Sequence, residues 1–320
     1  MIYVGDVYNK ARSAKKIYIG VNGVARQVTK IYASVNGVAR QVWPDAGVMF
    51  VVVGTSGIVT STDSISWSIP ITVAGIGLNC VTYGNGKFVA VGMGGKIATS
   101  TDGVTWSSIT VDTGDWHGVT YGNGKFVAVG DGGRTATSTD GINWSIYIIS
   151  IAINNSWRNI TYGNGKFVAV GTAGKITTST DGVTWSTNTA VASTAILYGV
   201  TYGNGKFVAV GTSGKIAYST DSVTWSSITV DTNNWADIVY GNGKFVAVGM
   251  GGKIAYSTDG VTWSSIATNT GDWHGVTYGN GKFVAVGTAG KIATSTDGVT
   301  WSTPVTAGTS IWYGVVYKGV

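Results

Sequence analysis

The segment Lys282-Phe-Val-Ala-Val-Gly287 puts Phe283 and Ala285 on one face of an extended chain and Val284 and Val286 on the other. Apolar residues on both faces predict a strand packed between two layers, not one with a solvated side. Trp273 to Tyr278 reads as the strand before it, joined through Asn280-Gly281, a pair that accepts positive φ in a tight hairpin turn. Lys291 to Ser295 reads as a third strand after the turn Gly287-Thr-Ala-Gly290. Val299 to Ser302 reads as a fourth after Thr296-Asp-Gly298.

This unit recurs. Its Phe stands at 50, 88, 126, 167, 207, 245 and 283, in steps of 38, 38, 41, 40, 38 and 38 residues. A period near 40 made of short antiparallel strands is the pattern of a β-propeller, one blade per period. The second-to-fourth strand set occurs seven times, first at Val48 to Ser68. The leading strand also occurs seven times but offset, starting at Leu78, Trp116, Trp157, Leu197, Trp235, Trp273 and Trp312. The first set therefore has no leading strand, and the last leading strand has no set. Joining the two closes the ring and removes exposed sheet edges. The expected fold is all-β: a seven-bladed propeller of four-stranded blades over 46–320, closed by the C-terminal strand.

The third turn, Ser295-Thr-Asp297-Gly-Val-Thr-Trp301, repeats with Asp63, Asp102, Asp140, Asp181, Asp221, Asp259 and Asp297. It resembles the Asp-box of sialidase-like propellers, one residue shorter between Asp and Trp than the common form and with Ser64 and Ser222 replacing Gly. The resemblance implies a structural role: each Asp accepts backbone N–H bonds in its own turn, and the Trp packs between strands.

Residues 1–45 carry a different repeat. Ile17-Tyr-Ile-Gly-Val-Asn-Gly-Val-Ala-Arg-Gln-Val28 returns as Ile31-Tyr-Ala-Ser-Val-Asn-Gly-Val-Ala-Arg-Gln-Val42, a period of 14. Two hairpins around Asn22-Gly23 and Asn36-Gly37 are expected. This segment resembles short β-repeats of phage and prophage tail-associated proteins of Gram-positive bacteria. That resemblance implies attachment to other tail or virion proteins, or to further copies of the chain, and action outside the cell as part of a phage tail. Met1-Ile-Tyr-Val-Gly-Asp6 lacks the basic start and apolar core of a signal peptide, and no apolar run approaches the roughly 18 residues that span a bilayer. No membrane insertion is expected.

Composition narrows the chemistry. There are 49 Gly and 3 Pro, and all 15 acidic residues are Asp. The net charge of +6 comes from scarce acids rather than basic runs, because Lys and Arg are spread one or two per repeat. Nucleic-acid binders concentrate such charge in a stripe, so nucleic acid is not expected as a partner. An overall positive field favours weak adhesion to anionic surfaces. Cys80 is the only cysteine, which excludes an intrachain disulfide.

A sialidase-like enzyme would need an arginine triad, a Tyr/Glu pair and an acid Asp. Here the propeller holds only Arg134 and Arg158, and no Glu. Two-carboxylate glycoside hydrolysis would have to use Asp alone. His117 and His274 occupy equivalent places four blades apart and could share a site only if both faced the central channel. No catalytic residue, metal or cofactor is expected.

The copies differ at one end of the blades. The turn after the first strand and the Ser-Thr-Asp turn hardly change, whereas the turns after the second strand and the blade-to-blade connections do. Variable loops on a rigid scaffold are the usual seat of recognition. The candidate ligand-binding residues on that face are Trp116, His117, Arg134, Trp157, Arg158, Lys175, Lys215, Trp235, Lys253, Trp273, His274, Lys291, Trp312 and Tyr313. Flat aromatics beside hydrogen-bond donors suit sugars. Two readings stand for each Trp: a stacking platform, or a filler between blades. The expected function is non-enzymatic, lectin-like recognition of a cell-surface glycan or cell-wall polymer through several weak sites. A virion assembly protein that docks other proteins is the alternative, and a glycoside hydrolase is disfavoured.

Overall fold

The computed structural model describes strands within 17–43 and residues 50–318, apart from 74–76, 150–155, 187–188, 192–194 and 269–270. The chain divides into two compact units, 1–48 and 49–320. In the first, Ile17–Val21 pairs antiparallel with Val24–Val28, and Ile31–Val35 with Val38–Trp43. The expected Asn-Gly turns lie outside the described residues.

The second unit is a seven-bladed propeller. Its inner strands are Leu78–Gly84, Trp116–Gly122, Trp157–Gly163, Leu197–Gly203, Trp235–Gly241, Trp273–Gly279 and Trp312–Tyr317, which open blades two to seven and complete blade one. Each inner strand packs against the inner strands of both neighbouring blades, so the seven form a closed ring. In blade seven, Lys282–Gly287 and Lys291–Ser295 follow as second and third strands, at the positions the pattern predicts.

The outer strand departs from expectation. In blade seven it is Val305–Thr306, not Val299 to Ser302, and in blade six it is Ser264–Ala267, again after the Trp. The reason is local. Asp297 Oδ1 accepts from the N–H groups of Val299 at 2.8 Å and Thr300 at 2.7 Å, and from the Ser295 hydroxyl at 2.9 Å. Those N–H groups are no longer available to a ladder, so the chain turns through this stretch before pairing resumes. The same closed turn forms in every blade; Asp63 Oδ1, for example, accepts from Ile65 and Ser66.

Blade one is assembled from both ends of the unit. Trp312–Tyr317 pairs with Phe50–Gly54, which pairs with Gly57–Ser61. Its fourth strand is reduced to one bridge between Ile58 and Ile71. Pro70 lies beside that bridge and has no N–H to offer a ladder.

The core lies between blades, which explains the two apolar faces of each second strand. Val127 and Val129 of blade three pack with Trp157, Ile160 and Phe167 of blade four. Val284, Val286 and Ile292 of blade seven pack with Phe50, Val52, Trp312 and Val315 of blade one. Closure therefore uses the same packing as every other blade junction.

Candidate functional site

The end that carries the constant Tyr-Gly-Asn-Gly-Lys sentence has its polar groups occupied. Lys87 Nζ donates to the Asp140 carbonyl of the next blade at 2.7 Å, and Lys125, Lys166, Lys206 and Lys244 repeat the contact around the ring. Asn85 Nδ2 donates to Thr139 O at 3.3 Å across the same junction. These residues recur because they clamp blade to blade.

At the opposite end, every inner strand carries a register shift at its second residue. Trp116 pairs with Gly130 and Gly118 with Val129, which leaves His117 as the extra residue of a β-bulge. The same shift isolates Asn79, Arg158, Tyr198, Ala236, His274 and Tyr313 in the other six blades. A bulge re-aims the side chain it carries. All seven bulge residues line one cavity of about 370 Å³ at the mouth of the channel. His117 and His274, equivalent by sequence, thus do face one shared space.

The third residue of the inner strand sets the depth of that cavity. It is Cys80, Asn159 and Asp237 in alternate blades and Gly in the rest. The glycines are steric partners: a Cβ on Gly118 would stand 2.8 Å from Asn159 Cα, and one on Gly199 would stand 2.8 Å from Asp237 Cα. A side chain in one blade therefore occupies the space its neighbour leaves empty. Asp237 Oδ2 accepts from the Val276 N–H of blade seven at 3.0 Å. Burial outweighs that bond and a second from Ile238, and pushes the carboxyl up to about 7. Burial also raises the Cys80 thiol to about 11.

Polar groups meet unevenly around the mouth. His117 Nε2 lies 2.8 Å from Asp131 Oδ1 and 3.1 Å from Arg158 Nη1. One ring nitrogen serves only one of these contacts at a time, donating to the carboxylate or accepting from the guanidinium. Burial raises Asp131, but bonds from Ser156 and His117 and the charges of His117 and Arg158 bring it below the usual carboxylate range. The His274 ring stands 5.4 Å from that of Tyr313, tilted by 60°. Burial lowers the His274 pKa, with Asp272 acting in the opposite direction.

Of the candidate ligand residues, His117, Arg158, His274 and Tyr313 come together in the cavity. Trp116, Trp157, Trp235, Trp273 and Trp312 do not: each is at most 1% exposed. They are fillers between blades and offer no platform to a ligand, because a flat apolar side chain opening a strand at a blade junction is pulled into the core. The cations opening the third strands lie outside the cavity lining as well. Arg134 Nε pairs with Asp112 at 2.8 Å, Lys253 with Asp231 at 2.9 Å, and Lys215 donates to Thr229 Oγ1 at 3.0 Å. The two ion pairs tie connections to blades, and the Lys215 bond joins paired strands of one blade. Lys175 and Lys291 open their strands in the same way, half-buried.

Asn79, Asn159, Tyr198, Ala236 and Asp237 line the cavity but were not singled out by the sequence. A signal was present. Aligned inner strands read LNCVTYG, WHGVTYG, WRNITYG, LYGVTYG, WADIVYG, WHGVTYG and WYGVVY, and they diverge most at the second and third positions. Among the described residues, no group of three or more side chains could hold a metal ion. Asp237 is the one carboxyl among the cavity-lining described residues.

The sequence matches no family model and no curated protein. Solved structures resemble it in fold. YCF48 bound to D1 peptide superposes with a TM-score of 0.57 at 19% identity, covering 71% of this chain and 80% of that one. YCF48 from Cyanidioschyzon merolae gives 0.59 at 16%, covering 76% and 89%. The β-propeller domain of Myceliophteria thermophila Cps50 (Swd1) gives 0.61 at 8%, covering 77% and 91%. At such identities these likenesses define a propeller and nothing finer.

Proposed function

We propose that the chain is a non-enzymatic recognition module whose ligand enters the channel mouth, and that the ligand is a carbohydrate chain displayed on a cell surface. One observation carries this reading. Blades that are otherwise near-copies differ in the bulge residues, and all seven bulges point into one cavity. Uniform scaffold with varied convergent side chains is how a rigid fold builds specificity. Asn79, Asn159 and Arg158 supply hydrogen-bonding groups, and Tyr198 and Tyr313 supply the large aromatic faces among the described lining residues, so the sugar-binding chemistry moves from the rim tryptophans to these residues. The N-terminal hairpin unit would attach the propeller to a phage or phage-like tail, with the virion as its place of action.

Binding of the full chain to purified host envelopes and to a glycan array tests this. Retention by wild type and at least tenfold weaker retention by Tyr198→Ala/Tyr313→Ala is the expected result. Binding unaffected by that double variant would remove the channel mouth as the site.

A second reading has a specific support: one propeller of this fold is bound to a peptide. In it, the mouth holds a segment of another virion protein. Capture of a tail protein, blocked by the same double variant, together with an empty glycan array, would favour it.

A further inference from the structure

We propose that the channel mouth selects a ligand bearing an anionic oxygen group, a phosphate or a carboxylate, and that Arg158 and His274 hold that group from opposite sides of the ring. This rests on the channel mouth being the recognition site. Arg158 and His274 both line the cavity, three blades apart. Each carries an enclosed nitrogen, Nε of Arg158 and Nε2 of His274, with no partner among the described residues. Leaving such donors unmet costs about 1–3 kcal/mol each, and more where the group is charged. An oxyanion between them would meet both, with a charge-assisted bond from the guanidinium.

The surroundings agree in charge. Asp131 lies outside the cavity lining, 2.8 Å from His117 Nε2. Asp237 is the carboxyl within the lining, and its Oδ2 is already engaged by the Val276 N–H. Arg158 is the one Lys or Arg among the cavity-lining described residues and therefore sets the sign of the field in the mouth. The whole chain, at +6, adds a long-range attraction for anions.

The test titrates the full chain with inorganic phosphate and, separately, with glucuronate. Saturable one-site binding of either is expected, weakened at least tenfold in Arg158→Gln and severalfold in His274→Gln, and within twofold of wild type in the rim variant Lys215→Gln. The stronger of the two probes identifies the source of the oxyanion. Should Arg158→Gln fail to fold, wild type decides: the Arg158 Nε–H resonance should shift on titration while that of Arg134 stays in place. Absence of saturation with both probes, or equal shifts at both arginines, would overturn the inference. The outcomes separate from those of the parent reading. Neutral glycans bound equally by wild type and Arg158→Gln would defeat the anion inference and leave glycan recognition standing. Phosphate bound at this site with no glycan retained would do the reverse.

Discussion

Gly203 ends an inner strand beneath the ring of Tyr240 in the next blade, where an added Cβ would stand 2.0 Å from Cγ. Gly205, two residues on, has φ +74 and nothing within 4 Å of an added Cβ. Two glycines of the same constant sentence thus answer to different physics, close approach for one and backbone conformation for the other. Gly203→Ala is expected to cost about 3 kcal/mol, the upper range for overpacking. Gly205→Ala is expected to cost about 1 kcal/mol, the cost of a left-handed alanine. Urea unfolding of the two variants checks this, and equal losses would refute the steric assignment. At this scale the sequence was half legible. Repetition marked both glycines as structural but not which neighbour each one met. The same limit explains the misplaced tryptophans: Trp235 and a surface Trp look alike in sequence, and only the blade junction decides that Trp235 is enclosed.

Strand positions were more legible than strand functions. Second and third strands follow from period-two patterning and Asn-Gly turns, whose signals are local. The outer strand was misplaced because side-chain capture of backbone N–H groups, as at Asp297, competes with ladder formation. The bulge in each inner strand left no local mark, yet it defines the candidate site. The closing blade was foreseen by counting strands, and its seam has its own chemistry. At the position where inner strands of the other blades end in Gly, this one is followed by Lys318, whose Nζ lies 5.6 Å from the Tyr83 ring centroid in blade two. Met49 also stands where the other six copies carry the clamping Lys. Removing 312–320 is expected to abolish the cooperative melting of the propeller. Trp312→Ala should cost about 3–5 kcal/mol, and Lys318→Ala about 0.5–1 kcal/mol. Calorimetry on the three proteins checks the order; an unchanged transition in the truncated chain would show that the ring closes without its last strand.

Across the whole molecule, two sets of carboxyl groups respond to pH in opposite senses. The turn carboxylates are held below the ordinary 3.8, Asp181 at about 2 by backbone bonds from Thr184 and Val183, Asp221 at about 2 by those from Val223 and Thr224, and Asp297 at about 2 by those from Thr300 and Val299. Their stabilisation is complete above pH 3.8 and is lost as pH falls toward 2. Asp237 is raised to about 7 by burial, so its folded form holds a proton that the unfolded chain has released. Its contribution is complete below pH 3.8 and is lost as pH rises through 7. The two windows meet near pH 4, where these groups together favour the fold most. Asp237→Asn isolates the second effect, because an amide keeps an oxygen for the Val276 N–H and never ionises. Relative to wild type, the variant should melt at similar temperature at pH 4 and progressively higher from pH 5 to 8. The difference between the two proteins isolates position 237, because every other ionisable group is common to both. Parallel melting curves across that range would mean that the Asp237 carboxyl is solvated well enough to ionise without cost. They would also restore a negative charge to the wall of the mouth at neutral pH, directly opposing an anionic ligand, so this melting series bears on the chemistry of the site as well as on the stability of the ring.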